Sequence, residues 1–352
     1  MSHAIEPVPK KFRPAPEHTA SPDDPEAFWK KELARASTSA HSLLQRLDLL
    51  HLINETDQET DFTCLATDTY IDKIKTGDPN DPLLLQILPL NKEHDENIQS
   101  AGSTDPVGDI EALASQGLIH KYHGRALLIS TGACAIHCRY CFRRHYPYQQ
   151  ASYSSKALHD VTHYLEQHTG IEEIILSGGD PLVLDNNKLS GLLAKLETIE
   201  HIKTLRIHTR IPVVLPGRIN NGLLDLLQSS RFHIVMVIHS NHANELQQTE
   251  CTNLHRLHHA GVTLLNQSVL LKGINDNADI LVELSKRLFQ CKTLPYYLHL
   301  LDPVTGAMHF DAGTEKALDL KTEMERQLPG YLVPRLVQEI AGNKSKTAIF
   351  RI

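Results

Sequence analysis

The chain has 352 residues, of which 41% are hydrophobic and 22% are charged. This length allows one large domain with an appendage, or two domains, and either arrangement can bury a sizeable core. The net charge of −7 gives no electrostatic reason to expect a nucleic acid or a membrane as partner, and no stretch is apolar over the length of a membrane span. The polar N-terminus lacks the apolar run of a secretory signal, so we expect a cytoplasmic protein.

The first part of the chain is predicted to be a leader followed by helices. Residues 1–25 are rich in proline and charge, which favours an extended segment. The leucines of Ser42–Leu52 have helical spacing, and 79–90 is an apolar segment bracketed by prolines. The polar residues 91–108 mark the expected boundary. The predicted parts are an N-terminal leader and helical region, a main domain and a C-terminal segment, at 1–108, 109–330 and 331–352.

Short apolar runs rich in β-branched residues alternate with helical stretches from about residue 125. The predicted strands are Ala126–Ser130, Glu173–Leu176, Thr204–His208, Ile234–Ile238, Val262–Asn266 and Tyr296–Leu300. The predicted helices lie near 154–168, 187–199, 218–229, 243–259, 278–290 and 313–327. Six such units predict an α/β fold with a parallel sheet, because parallel neighbours need a crossover that is usually helical. Six units instead of eight favour an open, partial β/α barrel.

Three cysteines occupy the loop after the first predicted strand with the spacing C-x3-C-x2-C, namely Cys134, Cys138 and Cys141. Three thiolates leave one iron of a [4Fe–4S] cluster open to another ligand, and the spacing favours this interpretation. A structural zinc site is an alternative, with His137 or His145 as fourth ligand. A disulfide is less favoured, because six cysteines with half of them in one loop indicate a reduced chain. The others are expected to be buried or incidental thiols: Cys64, Cys251 and Cys291.

Chemically distinctive residues end the later predicted strands as well. They are Ser177-Gly178-Gly179-Asp180, Thr209-Arg210, His239-Ser240-Asn241-His242, Asn266-Gln267 and Asp302. The carboxyl ends of parallel strands meet on one face, so these loops are predicted to share one pocket. Taken alone, Gly178 and Gly179 are equally typical of a tight turn, and His239 is typical of a core histidine.

Five segments of the chain resemble the lysine 2,3-aminomutases of the radical S-adenosylmethionine superfamily. They are RALLISTGACAIHCRYCFRR, IILSGGDPLVL, RIHTRIPVVLPGRI, NQSVLLKGIND and the closing SKT. The resemblance extends from about residue 79 to the C-terminus. Within the family, the chain is most similar to short bacterial enzymes that make (R)-β-lysine for modification of elongation factor P. It implies an isomerase that moves the amino group of L-lysine from C2 to C3.

The resemblance implies a [4Fe–4S] cluster held by the three cysteines, with S-adenosylmethionine on the open iron. Gly178, Gly179 and Asp180 match the glycine-rich segment that meets the methionine end of S-adenosylmethionine in the family. His239 and Gln267 match positions near the same cofactor.

Pyridoxal phosphate is the second cofactor that the resemblance implies. Lys346 matches the lysine that forms the Schiff base, with Lys344 two residues away, and Arg125 matches the arginine that binds the phosphate. Without the resemblance, either lysine is more typical of a solvated surface charge.

Substrate recognition is implied to rest on charge. Arg143 matches the partner of the substrate carboxylate, and Asp302 matches an acid that pairs with the distal ammonium of lysine. Glu339 falls where the longer aminomutases have a second acid. Two acids would repel a second carboxylate, which argues against glutamate as substrate.

Three differences separate the chain from the longer aminomutases. Tyr140 stands where they have a histidine, AGNKS replaces the glycine-rich run before their Schiff-base lysine, and the chain stops before their zinc-binding extension. The elongation-factor branch shares the shorter tail, so these differences favour that branch.

L-lysine is the implied small-molecule substrate, and cluster reduction implies an electron donor such as flavodoxin or ferredoxin. A functional link to a ligase that transfers lysyl groups to elongation factor P is also implied. Two alternatives from other classes stay open. One is a radical enzyme without pyridoxal phosphate, for instance one that activates a partner protein, and the other is a non-catalytic zinc-binding module.

Overall fold

One sheet of ten strands organises the fold of the computed structural model, which describes residues 25–58, 60–148 and 155–351. The strands lie in the sheet in chain order, from β1 at one edge to β10 at the other. They are β1 Leu113–Ser115, β2 Leu118–Tyr122, β3 Arg125–Thr131, β4 Glu173–Gly178, β5 Thr204–Thr209, β6 His233–His239, β7 Thr263–Val269, β8 Leu294–His299, β9 Arg335–Gln338 and β10 Thr347–Ala348. Strands β3 to β9 are parallel, whereas β1, β2 and β10 pair antiparallel.

A helix connects each pair of successive parallel strands, and four further described helices precede β1 in the N-terminal region. The α-helices in the described ranges are α1 Pro25–Arg35, α2 Ala40–Arg46, α3 Asp68–Ile71, α4 Glu96–Ser100, α5 Ser155–Gln167, α6 Asn186–Glu197, α7 Ile211–Val214, α8 Asn221–Ser229, α9 Gln248–His259, α10 Ala278–Gln290 and α11 Thr314–Gln327. Short 3-10 turns occupy Leu50–Glu55, Asn91–His94, Pro181–Val183, Pro216–Arg218, Ala243–Glu245, Met308–Phe310 and Gly330–Leu332. None of these helices is long and apolar enough to cross a membrane.

The six predicted strands and the open parallel sheet are confirmed, but the strand count is larger than predicted. A seventh parallel strand, β9, follows β8, and the short β1, β2 and β10 extend the edges. The sequence of β9 is RLVQ, in which one apolar pair between two polar residues gives neither an alternating pattern nor an apolar run. The C-terminal segment is therefore part of the sheet. The predicted leader at 1–25 lies outside the described residues except for Pro25.

Alternation along β5 shows how the strands build both a core and a site. Leu205 and Ile207 are fully buried in the main hydrophobic cluster. Arg206 and His208, one position along in each case, line a cavity on the opposite face. Because side chains alternate across a strand, the same six residues supply core on one face and polar groups on the other.

The N-terminal helical region shares its core with the barrel. Trp29, Leu43 and Leu83 belong to the same buried cluster as Leu176 of β4 and Ile207 of β5. The N-terminal region therefore packs on the barrel, and these three side chains belong to the hydrophobic core of the barrel itself. The boundary at 91–108 stays a prediction.

A disulfide joins two cysteines outside the loop that were expected to be buried or incidental thiols. Cys251 in α9 and Cys291 after α10 are joined as a disulfide, although the sequence suggested unrelated thiols. They lie 40 residues apart in the sequence, so only the folded chain brings them together. Cys64 is a buried free thiol as expected, and burial raises its pKa to about 12.

Candidate active site

A cavity of about 730 Å³ is lined by strand residues and by the loops at the carboxyl ends of the strands. All thirteen residues that the sequence singled out for cluster, cofactor or substrate line it: Arg125, Cys134, Cys138, Cys141, Arg143, Gly178, Gly179, Asp180, His239, Gln267, Asp302, Glu339 and Lys346. Lys344 is exposed and does not line it. The predicted convergence of these loops on one pocket is confirmed, and the role of each residue stays a prediction.

The three loop cysteines are free thiols, each partly accessible from the cavity. Burial raises the pKa of Cys134 well above its usual value and that of Cys141 to about 11. As free thiols both are therefore protonated at neutral pH, and binding iron as thiolates would release protons.

The three loop cysteines do not converge on a single metal position within the described residues. Within 25–58, 60–148 and 155–351, no three His, Cys, Asp or Glu side chains converge as the ligands of one metal ion do. A ring nitrogen of His137 bonds to Thr63 O at 2.8 Å, and one of His145 bonds to Thr305 O at 3.1 Å. In a [4Fe–4S] cluster each cysteine ligates a different iron, so the sulfurs need not converge on one point.

The glycine segment after β4 packs directly against the cysteine loop. Gly179 N donates to Thr131 O at 2.7 Å, and Asp180 N donates to Ala133 O at 2.8 Å. A Cβ on Gly179 would lie 2.2 Å from Ala133 O, and Gly178 has a φ of +115°. Both glycines are therefore required by backbone contact and conformation, beyond the tight turn that the sequence suggested.

Asp180 organises the turn between two strand ends. Its carboxylate accepts hydrogen bonds from Thr209 Oγ1 and Arg210 N, each at 2.6 Å, and from Leu182 N at 3.0 Å. Burial raises the pKa of Asp180, against the lowering effect of these bonds. Its predicted contact with the cofactor stays a prediction, since in the structure the carboxylate ties the glycine segment to β5.

Residues of the N-terminal region support the cysteine loop from the other side. His137 N donates to Leu65 O, and Arg139 N donates to Gln86 O, both at 2.9 Å. The ring of Phe62 stacks on His137, with centroids 4.7 Å apart. The loop between the cysteines is thus held by main-chain bonds to a region where the sequence suggested only covering helices.

Glu93 forms a buried ionic clamp on the same loop. Its carboxylate accepts from Arg139 Nε at 2.8 Å and from Arg144 Nη2 at 2.7 Å. Both guanidinium groups also lie 4.9 Å from the ring of Phe62. Burial would raise the pKa of Glu93, but the two arginines hold it below its usual value. Sequence reasoning missed Glu93, because a single glutamate in a polar stretch carries no distinguishing signal.

His239 and Gln267 occupy paired positions on β6 and β7. His239 Nε2 lies 2.9 Å from Tyr140 OH, and the two rings are stacked with centroids 5.6 Å apart. Burial and the nearby Arg210 lower the pKa of His239 to about 3, so its imidazole is neutral. His239 is therefore a hydrogen-bonded histidine that also lines the cavity.

A chain of alternating charges crosses the part of the cavity that contains Lys346. Arg143 Nε donates to Asp109 Oδ2 at 2.7 Å, and Lys121 bonds to the other oxygen of Asp109. Lys121 also lies 3.5 Å from Glu339, which accepts a hydrogen bond from the amine of Lys346. Asp109 and Lys121 were not singled out by the sequence, since neither belongs to a predicted strand end or to a motif.

Five buried polar atoms that belong to cavity-lining residues have no hydrogen-bond partner within the described part of the chain. Two are guanidinium nitrogens beside the cysteine loop, Arg144 Nε and Arg210 Nε, and the other three are Asp302 Oδ1, His208 Nε2 and His299 Nε2. Burial raises the pKa of Asp302 to about 7 and lowers that of both histidines well below the usual value. Buried polar groups are normally paired, so these atoms mark where a polar ligand would bind.

Comparison with known proteins identifies the family. The Radical SAM superfamily model matches residues 128–284. The L-lysine 2,3-aminomutase of Escherichia coli is 42% identical over 91% of this chain and 94% of its own length, and that of Haemophilus influenzae is 44% identical over 92% and 95%. The chain belongs to the lysine 2,3-aminomutase family. The enzyme of Clostridium subterminale is 34% identical over 80% of this chain and 68% of its own length.

Membership of the radical SAM superfamily implies a [4Fe–4S] cluster and S-adenosylmethionine, and the aminomutase cavity fits both. Three free cysteine thiols in one loop would hold the cluster. The glycine segment leaves no side chain between the loop and β4, and the adjoining cavity offers space for a ligand on the open iron.

We expect Gly179→Ala to lose the cluster. The new Cβ would overlap Ala133 O and push the cysteine loop away, since both contacting groups are main chain. Iron and sulfide content after anaerobic reconstitution checks this. Gly191→Ala, in the middle of α6 with nothing within 4 Å of the new Cβ, is the matched control and should keep full iron content. Full iron in both variants would contradict the packing argument.

We expect Glu93→Gln to unfold more easily, by about 3 kcal/mol, because two buried guanidinium groups lose their counter-charge. Iron should also leave the variant several-fold faster in the presence of a chelator. Glu250→Gln is the matched control: Glu250 is equally buried and pairs with Lys73 at 2.7 Å, and the carboxylate itself does not bond to the cysteine loop. It should lose stability without losing iron, and equal iron loss in both would assign the effect to stability alone.

Proposed function

We propose that this aminomutase converts L-lysine to (R)-β-lysine with a [4Fe–4S] cluster, S-adenosylmethionine and pyridoxal phosphate. The observation that carries the proposal is that the amine of Lys346 and the three cysteines line one cavity. When bound, the cluster and S-adenosylmethionine supply a radical that abstracts hydrogen, and pyridoxal phosphate carries the migrating nitrogen. The cysteines that would hold the cluster and the lysine that would hold pyridoxal phosphate thus share one cavity.

The residues around Lys346 fit pyridoxal phosphate. Lys346 offers the amine for covalent attachment, and the cavity wall near the start of β3 carries Arg125, which stacks on Tyr122 at 4.8 Å. Arg206 lines the same cavity. A phosphate prefers planar guanidinium partners, so these arginines support the predicted role of Arg125. His208 and His299 offer neutral ring nitrogens to the polar atoms of the cofactor.

The charges in the cavity support lysine as the substrate. Asp302 Oδ1 is unpaired in its buried position, and a buried acid of this kind is best neutralised by an ammonium. Glu339 pairs with Lys346 in the structure. Glu339 lies near enough to Asp302 to raise the pKa of that acid, and it would add a second negative charge for the distal ammonium of the substrate. Arg143, fixed by Asp109, would then bind the carboxylate.

The proposal includes the supply of β-lysine for modification of elongation factor P, in a cytoplasm that holds a flavodoxin or ferredoxin as reductant. The chain covers 94% and 95% of two relatives named L-lysine 2,3-aminomutase but only 68% of the Clostridium subterminale enzyme, and similarity to the shorter form is what supports this part of the proposal. Deletion of the gene should remove a mass equal to the β-lysyl group from elongation factor P in the host, and supplied (R)-β-lysine should restore it. Failure of both would contradict this part of the proposal.

The activity itself is tested by anaerobic reconstitution with iron, sulfide and pyridoxal phosphate, followed by chiral analysis of the products from labelled L-lysine. (R)-β-lysine should form only with S-adenosylmethionine and a reductant present. Labelled L-glutamate is the control substrate and should be unchanged. A loaded cluster with no bound pyridoxal phosphate would favour a different radical enzyme.

We expect Lys346→Ala to abolish covalent binding of pyridoxal phosphate, because its amine lines the cavity, whereas Lys344→Ala should bind it normally. Borohydride treatment followed by peptide mass spectrometry detects the attached cofactor. Attachment retained in Lys346→Ala, or lost in Lys344→Ala, would overturn the assignment.

We expect Asp302→Asn to weaken L-lysine binding by 10-fold or more, about 1.4 kcal/mol, since a buried charge pair is lost. L-norleucine, which lacks the distal ammonium, should bind both proteins alike. Calorimetry on enzyme loaded with pyridoxal phosphate measures both affinities. Equal losses for the two ligands would show that Asp302 acts through structure.

The pH dependence of binding provides a separate prediction for Asp302. Its pKa is raised to about 7, and only the ionised carboxylate attracts an ammonium. L-lysine affinity of the native protein should therefore rise as the pH increases from 6 to 8 and then level off. In Asp302→Asn this rise should disappear, and a rise of unchanged size would assign it to another group.

A further inference from the structure

Arg210 connects the cysteine loop to the buried polar network behind it. It follows β5, and its main-chain N–H is fixed by Asp180. One guanidinium nitrogen, Nη1, donates to Cys138 Sγ at 2.7 Å. The other, Nη2, donates to Gln86 Oε1 at 2.7 Å and to Glu245 Oε2 at 2.9 Å. Arg210 therefore contacts a cluster cysteine with a donor whose position is set by several partners.

The buried state of this arginine calls for an explanation. Arg210 is 6% exposed and Glu245 is fully buried. Buried ion pairs contribute little to stability, because desolvation offsets their attraction. Two apolar side chains of similar size would fill the same space. The Arg210–Glu245 ion pair is therefore better explained by the contact of Arg210 with Cys138.

We propose that Arg210 is a positioning residue that sets the reduction potential of the cluster through its N–H···S hydrogen bond to Cys138. Hydrogen bonds to the sulfurs and nearby charge are among the factors that set the potential of an iron–sulfur cluster. A donor with positive charge favours the reduced state, which carries one more electron. Arg210 would thus raise the reduction potential of the cluster, so that an electron donor reduces it more easily. This inference rests on the cluster and is independent of lysine as substrate.

Two variants test the inference in the full chain after anaerobic reconstitution with iron and sulfide. Arg210→Lys keeps the charge but loses the planar fork. Arg210→Met combined with Glu245→Gln removes both charges and leaves no unpaired buried charge. The midpoint potential is measured by redox titration with no S-adenosylmethionine, pyridoxal phosphate or lysine present. Failure of the aminomutase proposal would therefore leave this result unaffected.

Both variants should keep full iron content, and their midpoint potentials should be more negative than that of the native protein, with the larger shift in the double variant. Arg218→Lys is the matched control. Arg218 is fully buried and donates to Leu182 O and Leu184 O, away from the cysteines, so its variant should keep the native potential.

Three outcomes would overturn the inference. The first is an unchanged midpoint potential at full iron content in both variants. The second is an equal shift in Arg218→Lys. The third is loss of iron from Arg210→Lys with a native circular dichroism spectrum, which would show that Arg210 retains the cluster. If the double variant does not fold, Arg210→Lys alone decides: a more negative midpoint potential supports the inference, and an unchanged potential at full iron content overturns it.

Discussion

The close approach of two main-chain segments, the cysteine loop and the turn after β4, is the constraint on which the rest of the site depends. Gly179 and Asp180 bond to carbonyl groups of the loop, and no side chain fits between the two segments at Gly179. The carboxylate of Asp180 then fixes the start of the next segment at Arg210. The cysteine loop, the turn after β4 and the end of β5 are thus held in fixed relative positions by hydrogen bonds from main-chain N–H groups.

The sequence predicted the residues that line the cavity better than the residues that hold the cysteine loop and its arginines in place. The two sets depend on different kinds of information. Cys134 and Asp302 could be found from local patterns, since both stand directly after apolar runs that were recognisable as strands. Glu93 and Asp109 act across distances of 46 and 34 residues to their arginines, and a single acid in a polar segment gives no hint of its partner. Contacts of this kind exist only once the chain has folded.

The same distinction explains the errors in the fold. The six central strands alternate or are continuously apolar over the four or five residues by which they were predicted, and a helical stretch follows each of them. Strand β9 has four residues, and β10 has two, so their pairing comes from the sheet edge that β8 offers. The disulfide between Cys251 and Cys291 depends in the same way on the folded structure and not on sequence spacing.

The distribution of buried charge indicates what the fold was selected to hold. Glu93, Asp109, Glu245 and Glu339 are carboxylates that face arginine or lysine, and their partners belong to the cysteine loop or line the cavity. Ion pairs in such positions add little stability, so their concentration there follows from the need to fix charges around bound groups. Asp302 differs from them because one of its oxygens is buried without a protein partner within the described residues. In a cavity whose other acids are paired among the described residues, this one unpaired acid supports our proposal that the substrate carries a second positive charge.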